Sequence, residues 1–192
     1  MFLLLSVAVC GWETIPAFVH NARWAQFHLL ENGGIGWHVM PTVLAAARLL
    51  GISVEHAYAL HLGVAGLAAI ALLYVWLRTA DAGLRIAMLA LATVLSSPYV
   101  RAYELTWLGM AIAGYVGYGI RHGLSRGERT VLAAGWLLPL FEFVNPLLHL
   151  PQIGPVVLLA VVVIVVGRAA RLPRHAAAAF NNSAAHAHTS KT

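Results

Sequence analysis

The apolar positions of this chain gather into runs separated by short polar gaps. Five runs are long: 54–77 (VEHAYALHLGVAGLAAIALLYVWL), 84–97 (LRIAMLALATVLSS), 103–120 (YELTWLGMAIAGYVGYGI), 130–149 (TVLAAGWLLPLFEFVNPLLH) and 153–167 (IGPVVLLAVVVIVVG). A bilayer core is crossed by about 20 apolar residues, with some give through tilt or local thinning. Each run therefore predicts a spanning helix, although 84–97 is short unless its helix continues past Pro98. The start, MFLLLSVAVCGW, has about 11 apolar residues, too few to cross. It lacks the positive start and small-x-small site of a signal peptide, so it reads as the end of a longer transmembrane helix. The predicted fold is all-α: a polytopic transmembrane helix bundle with about five full spans and a partial N-terminal one.

Residues 11–53 are too polar to span and too apolar for a free linker. Trp12, Trp24 and Trp37 suit the headgroup layer, where an amphipathic ring is favoured. Phe18, Trp24, Phe27 and Leu30 recur at roughly helical spacing, which predicts an interfacial amphipathic helix. Pro41 opens a short helix over 41–50, and Gly51 ends it. The chain divides into a partial helix (1–10), an external interfacial segment (11–53), the bundle (54–170) and a tail (171–192). The tail is low in large apolar residues and reads as disordered and cytoplasmic. Its Asn181-Asn182-Ser183 sequon would go unmodified there, and His175, His186 and His188 offer no organised metal geometry.

Composition sharpens the membrane reading. The chain is 60% hydrophobic and 10% charged, against about 25% charged in a soluble domain. Cys10 is the sole cysteine, which excludes a disulfide within the chain. The formal charge of +5 does not point to nucleic acid, because the arginines lie in gaps between apolar runs and form no basic-aromatic stripe. The gaps RTADAGLR (78–85), RHGLSRGER (121–129) and GRAARLPR (167–174) are arginine-rich, whereas PYVRA and LPQ hold one arginine between them. This alternation predicts the rich gaps on the cytoplasmic side, with 11–53 and the turns at 98–102 and 150–152 outside.

Candidate chemistry is sparse. No zinc spacing, phosphate loop, Rossmann fingerprint or nucleophile elbow is present, so no metal or cofactor is expected. Glu104 at the outer end of the third run reads either as a helix-start carboxylate or as part of a polar rim with Tyr99, Arg101 and Tyr103. In the second reading the tyrosines stack on a sugar and Arg101 pairs with a phosphate. Glu142, with Asn145 one turn on, is either a functional carboxylate or a hydrogen-bonded structural one. His56 and His61 read as packed or interfacial, and Asp81 as solvated. His20, Arg23, His28, Glu31 and His38 make the outer stretch the polar side. Small residues, among them Gly63, Gly66, Gly109, Gly114 and Gly117, permit close helix approach.

Two segments carry a resemblance. WHVMPTVLAAARLLGISVEHAYALH followed by ATVLSSPYVRAYELTWLGMAIA resembles the C-terminal half of glycosyltransferase family 87, over about residues 11–140. Met40, Pro41, Thr42, Ala45, Ala46, Arg48, Leu49, Leu50 and Gly51 match one motif. Ser97, Pro98, Tyr99, Tyr103, Glu104 and Leu105 match a second, with Glu104 standing where the family has Asp. The resemblance implies a GT-C type mannosyltransferase of the plasma membrane. It would move a sugar from a polyprenyl-phosphate carrier to an acceptor hydroxyl on the outer face. Arg23, Arg48 and Arg101 would steady the leaving phosphate, and Tyr99, Tyr103 and Glu104 would line the substrate. Family members are about twice as long, so the resemblance also implies a C-terminal fragment without its catalytic base, with an N-terminal-half polypeptide as a partner beside the membrane lipids. The catalytic residue itself is left unassigned. The alternative is a non-enzymatic membrane protein, a transporter half or assembly subunit, since prolines beside mid-membrane polar groups also suit transporters.

Overall fold

A computed structural model describes residues 2–33 and 36–172. The tail expectations beyond Leu172 fall outside those residues. The described residues fall into two compact units, one up to Trp37 and one from His38 onward.

The first unit is helical. Helix α1 (Phe2–Cys10) ends at Gly11, whose φ of +87° makes the turn. Thr14 Oγ1 donates to Gly11 O at 2.8 Å, and α2 (Thr14–Ala25) follows. It runs into a π-helical turn over Gln26–Glu31, where the Trp24 and His28 rings stack at 4.6 Å. Asn32 closes this turn, its Nδ2 donating to Phe27 O at 2.9 Å. Of the expected apolar set, Phe18, Trp24 and Phe27 are exposed and Leu30 is buried. An exposed aromatic face on a helix suits an interfacial position.

In the second unit α3 (Val43–Leu49) begins at Thr42, whose Oγ1 accepts the Ala45 N–H at 3.1 Å. Thr42, not Pro41, is thus the cap. The helix ends in a Schellman turn: Ile52 N–H bonds Ala47 O, Gly51 N–H bonds Arg48 O, and Gly51 sits at φ +79°. Five helices follow: α4 (Val54–Arg78), α5 (Ala82–Ser96), α6 (Thr106–His122), α7 (Arg126–Leu148) and α8 (Gly154–Arg171). Together they make an all-α membrane helix bundle. Helices α4, α7 and α8 are long and apolar enough to cross. Helix α5 has 15 residues and stops at Ser96, giving about 22 Å of rise against about 30 Å of hydrocarbon. It does not continue past Pro98. It is packed against α4, α6 and α8. Its Leu84, Ala87, Met88, Leu91, Val94 and Leu95 all lie in the core. About five full spans were expected; among the described residues three helices meet the length and hydropathy for crossing.

Hydrogen bonds sort the loops into two ends. At one end Arg121 pairs with Asp81 (2.7 Å), Arg78 reaches Ala170 O (3.0 Å) and Arg168 reaches Gly123 O (2.9 Å). Asp81 also caps α5, accepting the Leu84 N–H at 3.1 Å, so it is not merely solvated. At the other end His61 Nε2 donates to Ser96 O (3.4 Å) and His38 Nδ1 to Leu150 O (3.2 Å). The arginine-rich gaps therefore share one end, and 38–54, 96–106 and 148–154 the other.

Helices α5 and α6 cross backbone to backbone. A Cβ on Gly114 would lie 2.6 Å from Gly83 O, and one on Gly83 would lie 2.5 Å from Gly114 O. Gly63, Gly66, Gly109 and Gly117 have open space instead. Gly114→Ala is expected to lower the melting temperature, because an overpacked contact costs about 1–3 kcal/mol. Gly117→Ala should raise it slightly through helix propensity. Thermal unfolding by circular dichroism in nanodiscs checks the opposite signs.

Candidate functional site

The end that carries 96–106 holds a compact turn. Ser97 Oγ donates to Tyr99 O (3.0 Å) and accepts the Tyr99 N–H (3.3 Å), which folds the chain back after α5. Buried Val100 and Leu105 anchor the turn in the core. Between them Ala102–Leu105 forms one 3-10 turn. The Arg101 N–H donates to Glu104 Oε2 at 2.8 Å, and the Glu104 N–H to Arg101 O at 2.9 Å. The Glu104 carboxylate thus satisfies an otherwise orphan donor, in keeping with the helix-start reading. Its Oε1 and the Arg101 guanidinium take no hydrogen bond among the described residues.

Below this turn a groove of about 540 Å³ opens between α6 and α7. Tyr103, Thr106 and Gly109 line one side, and Gly135, Trp136 and Pro139 the other. Pro139 has no N–H, so the Gly135 carbonyl lacks its usual helical partner inside the groove. Tyr103 and Trp136 are 67% and 69% exposed, so two large amphipathic rings flank the opening.

The remaining expected site residues are less concentrated. Arg48 lies at the same end as the turn, where its Nη1 donates to Ile52 O at 2.7 Å across the α3–α4 corner. That bond gives it a local role. Arg23 is exposed on α2, in the other unit. Tyr99, Arg101, Tyr103 and Glu104 therefore form one cluster, Arg48 shares their end of the bundle, and Arg23 belongs to a separate body.

A second polar cluster sits where the segment 38–42 meets the α7–α8 connection. Glu142 and Asn145 are both 1% exposed. Gln152 Nε2 donates to Glu142 Oε2 at 2.9 Å and also approaches His38 O at 3.5 Å. Gln152 Oε1 accepts the Gly154 N–H at 3.1 Å, capping α8. Asn145 Oδ1 accepts the Leu150 N–H at 2.9 Å. Glu142 Oε1 and Asn145 Nδ2 have no hydrogen-bond partner among the described residues. Sequence had singled out Glu142 and Asn145. It missed His149 and Gln152, whose partners lie more than a hundred positions away at His38.

At the arginine-rich end Tyr115, Glu128 and Arg168 form a third cluster that sequence did not find. Arg168 grips Glu128 through Nε–Oε1 (2.5 Å) and Nη2–Oε2 (2.6 Å), and Tyr115 Oη donates to Oε1 at 2.7 Å. The Ser125 N–H completes the set at 2.7 Å. A visible signal existed in Ser125-x-x-Glu128, a capping box. With every oxygen satisfied, this cluster ties α6, α7 and α8 together and leaves nothing for a ligand. Among the described residues no three His, Cys, Asp or Glu side chains gather as metal ligands.

A family model described as glycosyltransferase family 87 matches residues 1–98. The match contains the segment 40–51 and stops at Pro98, so Tyr99, Arg101, Tyr103 and Glu104 lie just beyond it. No curated protein and no solved structure matches the chain.

Proposed function

The chain belongs to glycosyltransferase family 87, and from that premise we propose that it takes part in mannosyl transfer from a polyprenyl-phosphate carrier to a hydroxyl acceptor. The membrane glycosyltransferase class follows from the family. The sugar, the carrier and the site are this proposal. The carrying observation is the turn at 97–105 standing over an apolar groove. The groove receives hydrocarbon chain, and the Arg101 guanidinium above it meets the carrier phosphate. Tyr99 and Tyr103 offer aromatic faces to the sugar. Glu104 holds the turn that presents them, and Arg48, at the same end of the bundle, is a further cation for the phosphate. The arginine-rich end then faces the cytoplasm by the positive-inside rule, which puts the C-terminus there and the site on the outer side of the plasma membrane.

The chemistry asked of these residues is electrostatic. As the anomeric C–O bond breaks, its electron pair goes to the phosphate oxygen, and a fixed guanidinium stabilises that charge. The acceptor oxygen forms the new bond to the anomeric carbon and releases its proton to a general base.

Arg101→Gln is expected to lower transfer about 10²-fold, the scale of losing one charge-stabilising donor. Glu104→Gln keeps an acceptor for the Arg101 N–H, so its turn should fold, and transfer should fall through loss of charge. The measurement is mannose transfer from polyprenyl-phosphomannose by membranes containing the chain. Transfer unchanged in a folded Arg101→Gln variant would remove the turn from the site.

A further inference from the structure

A pocket of about 320 Å³ lies beside the second polar cluster, separate from the groove between α6 and α7. This is near the lower end of the volumes that small-molecule pockets take. Ala46 and Leu49 of α3 and Leu50 at its C-cap give it an apolar floor, and His38, His149 and Gln152 supply polar groups.

Three features show that the imidazoles are held in place. Leu150 O can only accept, so His38 Nδ1 carries a proton, and in the neutral ring Nε2 is the acceptor. The His149 ring packs edge-on against His38, with centroids 5.1 Å apart and planes at 76°. His149 itself sits at φ 50°, ψ 38°, the left-handed C-terminal position of α7 that glycine usually fills. It is the one non-glycine residue at positive φ among those described. A side chain kept where glycine is cheaper points to a use for that side chain. Behind the wall, Glu142 fixes Gln152 through a buried hydrogen bond, and Asn145 fixes Leu150 through a partly buried one.

We propose that this pocket binds the hydroxyl-bearing ring of the acceptor, a single hexose-class ring. Its hydroxyls donate to His38 Nε2 and engage His149, and its C–H face rests on Leu49 and Leu50. The sugar class rests on the glycosyltransferase reading; the pocket and its imidazoles do not. Among the described residues no lysine or arginine lines it, so it suits an uncharged ring better than a phosphate-bearing one.

The test is saturation-transfer NMR on the full chain in phosphatidylcholine nanodiscs, which avoids sugar-headed detergents. Methyl α-mannopyranoside and mannose 1-phosphate are the two probes. The glycoside should bind, and the phosphate should bind no tighter. His149→Gly removes the imidazole while suiting the backbone, so it should melt no lower than the parent. Its binding should weaken roughly tenfold, the scale of one lost polar contact. His38→Phe should weaken binding comparably. No signal in the parent, unchanged binding in His149→Gly, or mannose 1-phosphate binding tenfold tighter would each overturn the proposal. Because binding is read without turnover, a failed transfer assay leaves this test intact, and a failed binding test leaves the transfer assay intact.

Discussion

Arg168→Ala is expected to destabilise the bundle by about 3 kcal/mol, the lower part of the range for stranding one member of a buried ion pair. The arginine side chain is 17% exposed and the Glu128 side chain 10%, so neither can turn fully to water. Removing the guanidinium takes two charge-assisted hydrogen bonds from Glu128 and one from Gly123 O. It also lifts the cation from the Tyr118 ring, where its centre lies 5.8 Å from the centroid. The carboxylate would keep only Tyr115 and the Ser125 N–H. Tyr115→Phe removes one hydrogen bond and should cost about 1 kcal/mol. Replacing both Arg168 and Glu128 with leucine should recover much of the loss, because the penalty lies in the stranded charge. Reversible unfolding in mixed micelles measures all three. An Arg168→Ala variant as stable as the parent would show that the cluster is incidental.

This cluster marks where sequence reading reached its limit. Hydropathy located the five bundle helices, because a run of apolar residues must be helical to satisfy its backbone in lipid. The run at 103–120 starts ahead of α6 because Ala102–Leu105 tightens into a 3-10 turn under the Glu104 cap. The run at 84–97 was expected to need more length. Helix α5 buries eight of its 15 residues and leaves a stripe with Ile86 and Leu89 exposed, and hydropathy does not distinguish a lipid-facing leucine from a core one. Gly114 was legible as a close-approach residue, but its partner Gly83 was not, since it stands in a gap read only for its arginines. The polar clusters were legible one residue at a time. Glu142 and Asn145 stood out against an apolar run, but nothing local in the sequence joins them to His38, or Glu128 to Arg168.

Gly154→Ala is expected to abolish most of the transfer activity proposed here while leaving α8 helical. Gly154 is the first residue of that helix, and alanine there is the better helix former. The obstacle is Pro41. An added Cβ would lie 2.5 Å from Pro41 Cβ, 2.8 Å from its Cα and 3.1 Å from Glu142 Oε1. A proline ring and a backbone carbon cannot rotate aside, so the segment Met40–Thr42 has to move as a piece. Met40, Pro41 and Thr42 are all buried, and Thr42 caps α3, which carries the pocket floor and Arg48. A forced contact of this kind costs about 1–3 kcal/mol, and its displacement falls on the segment that carries His38. Transfer should fall at least tenfold, since reacting groups tolerate little misplacement. The double variant Pro41→Gly/Gly154→Ala removes the Cβ-to-Cβ clash and should be less destabilised than the two single changes added together. Strictly additive losses in melting would show that Pro41 and Gly154 do not meet, and that the matched segment at 40–51 is positioned by something other than the start of α8.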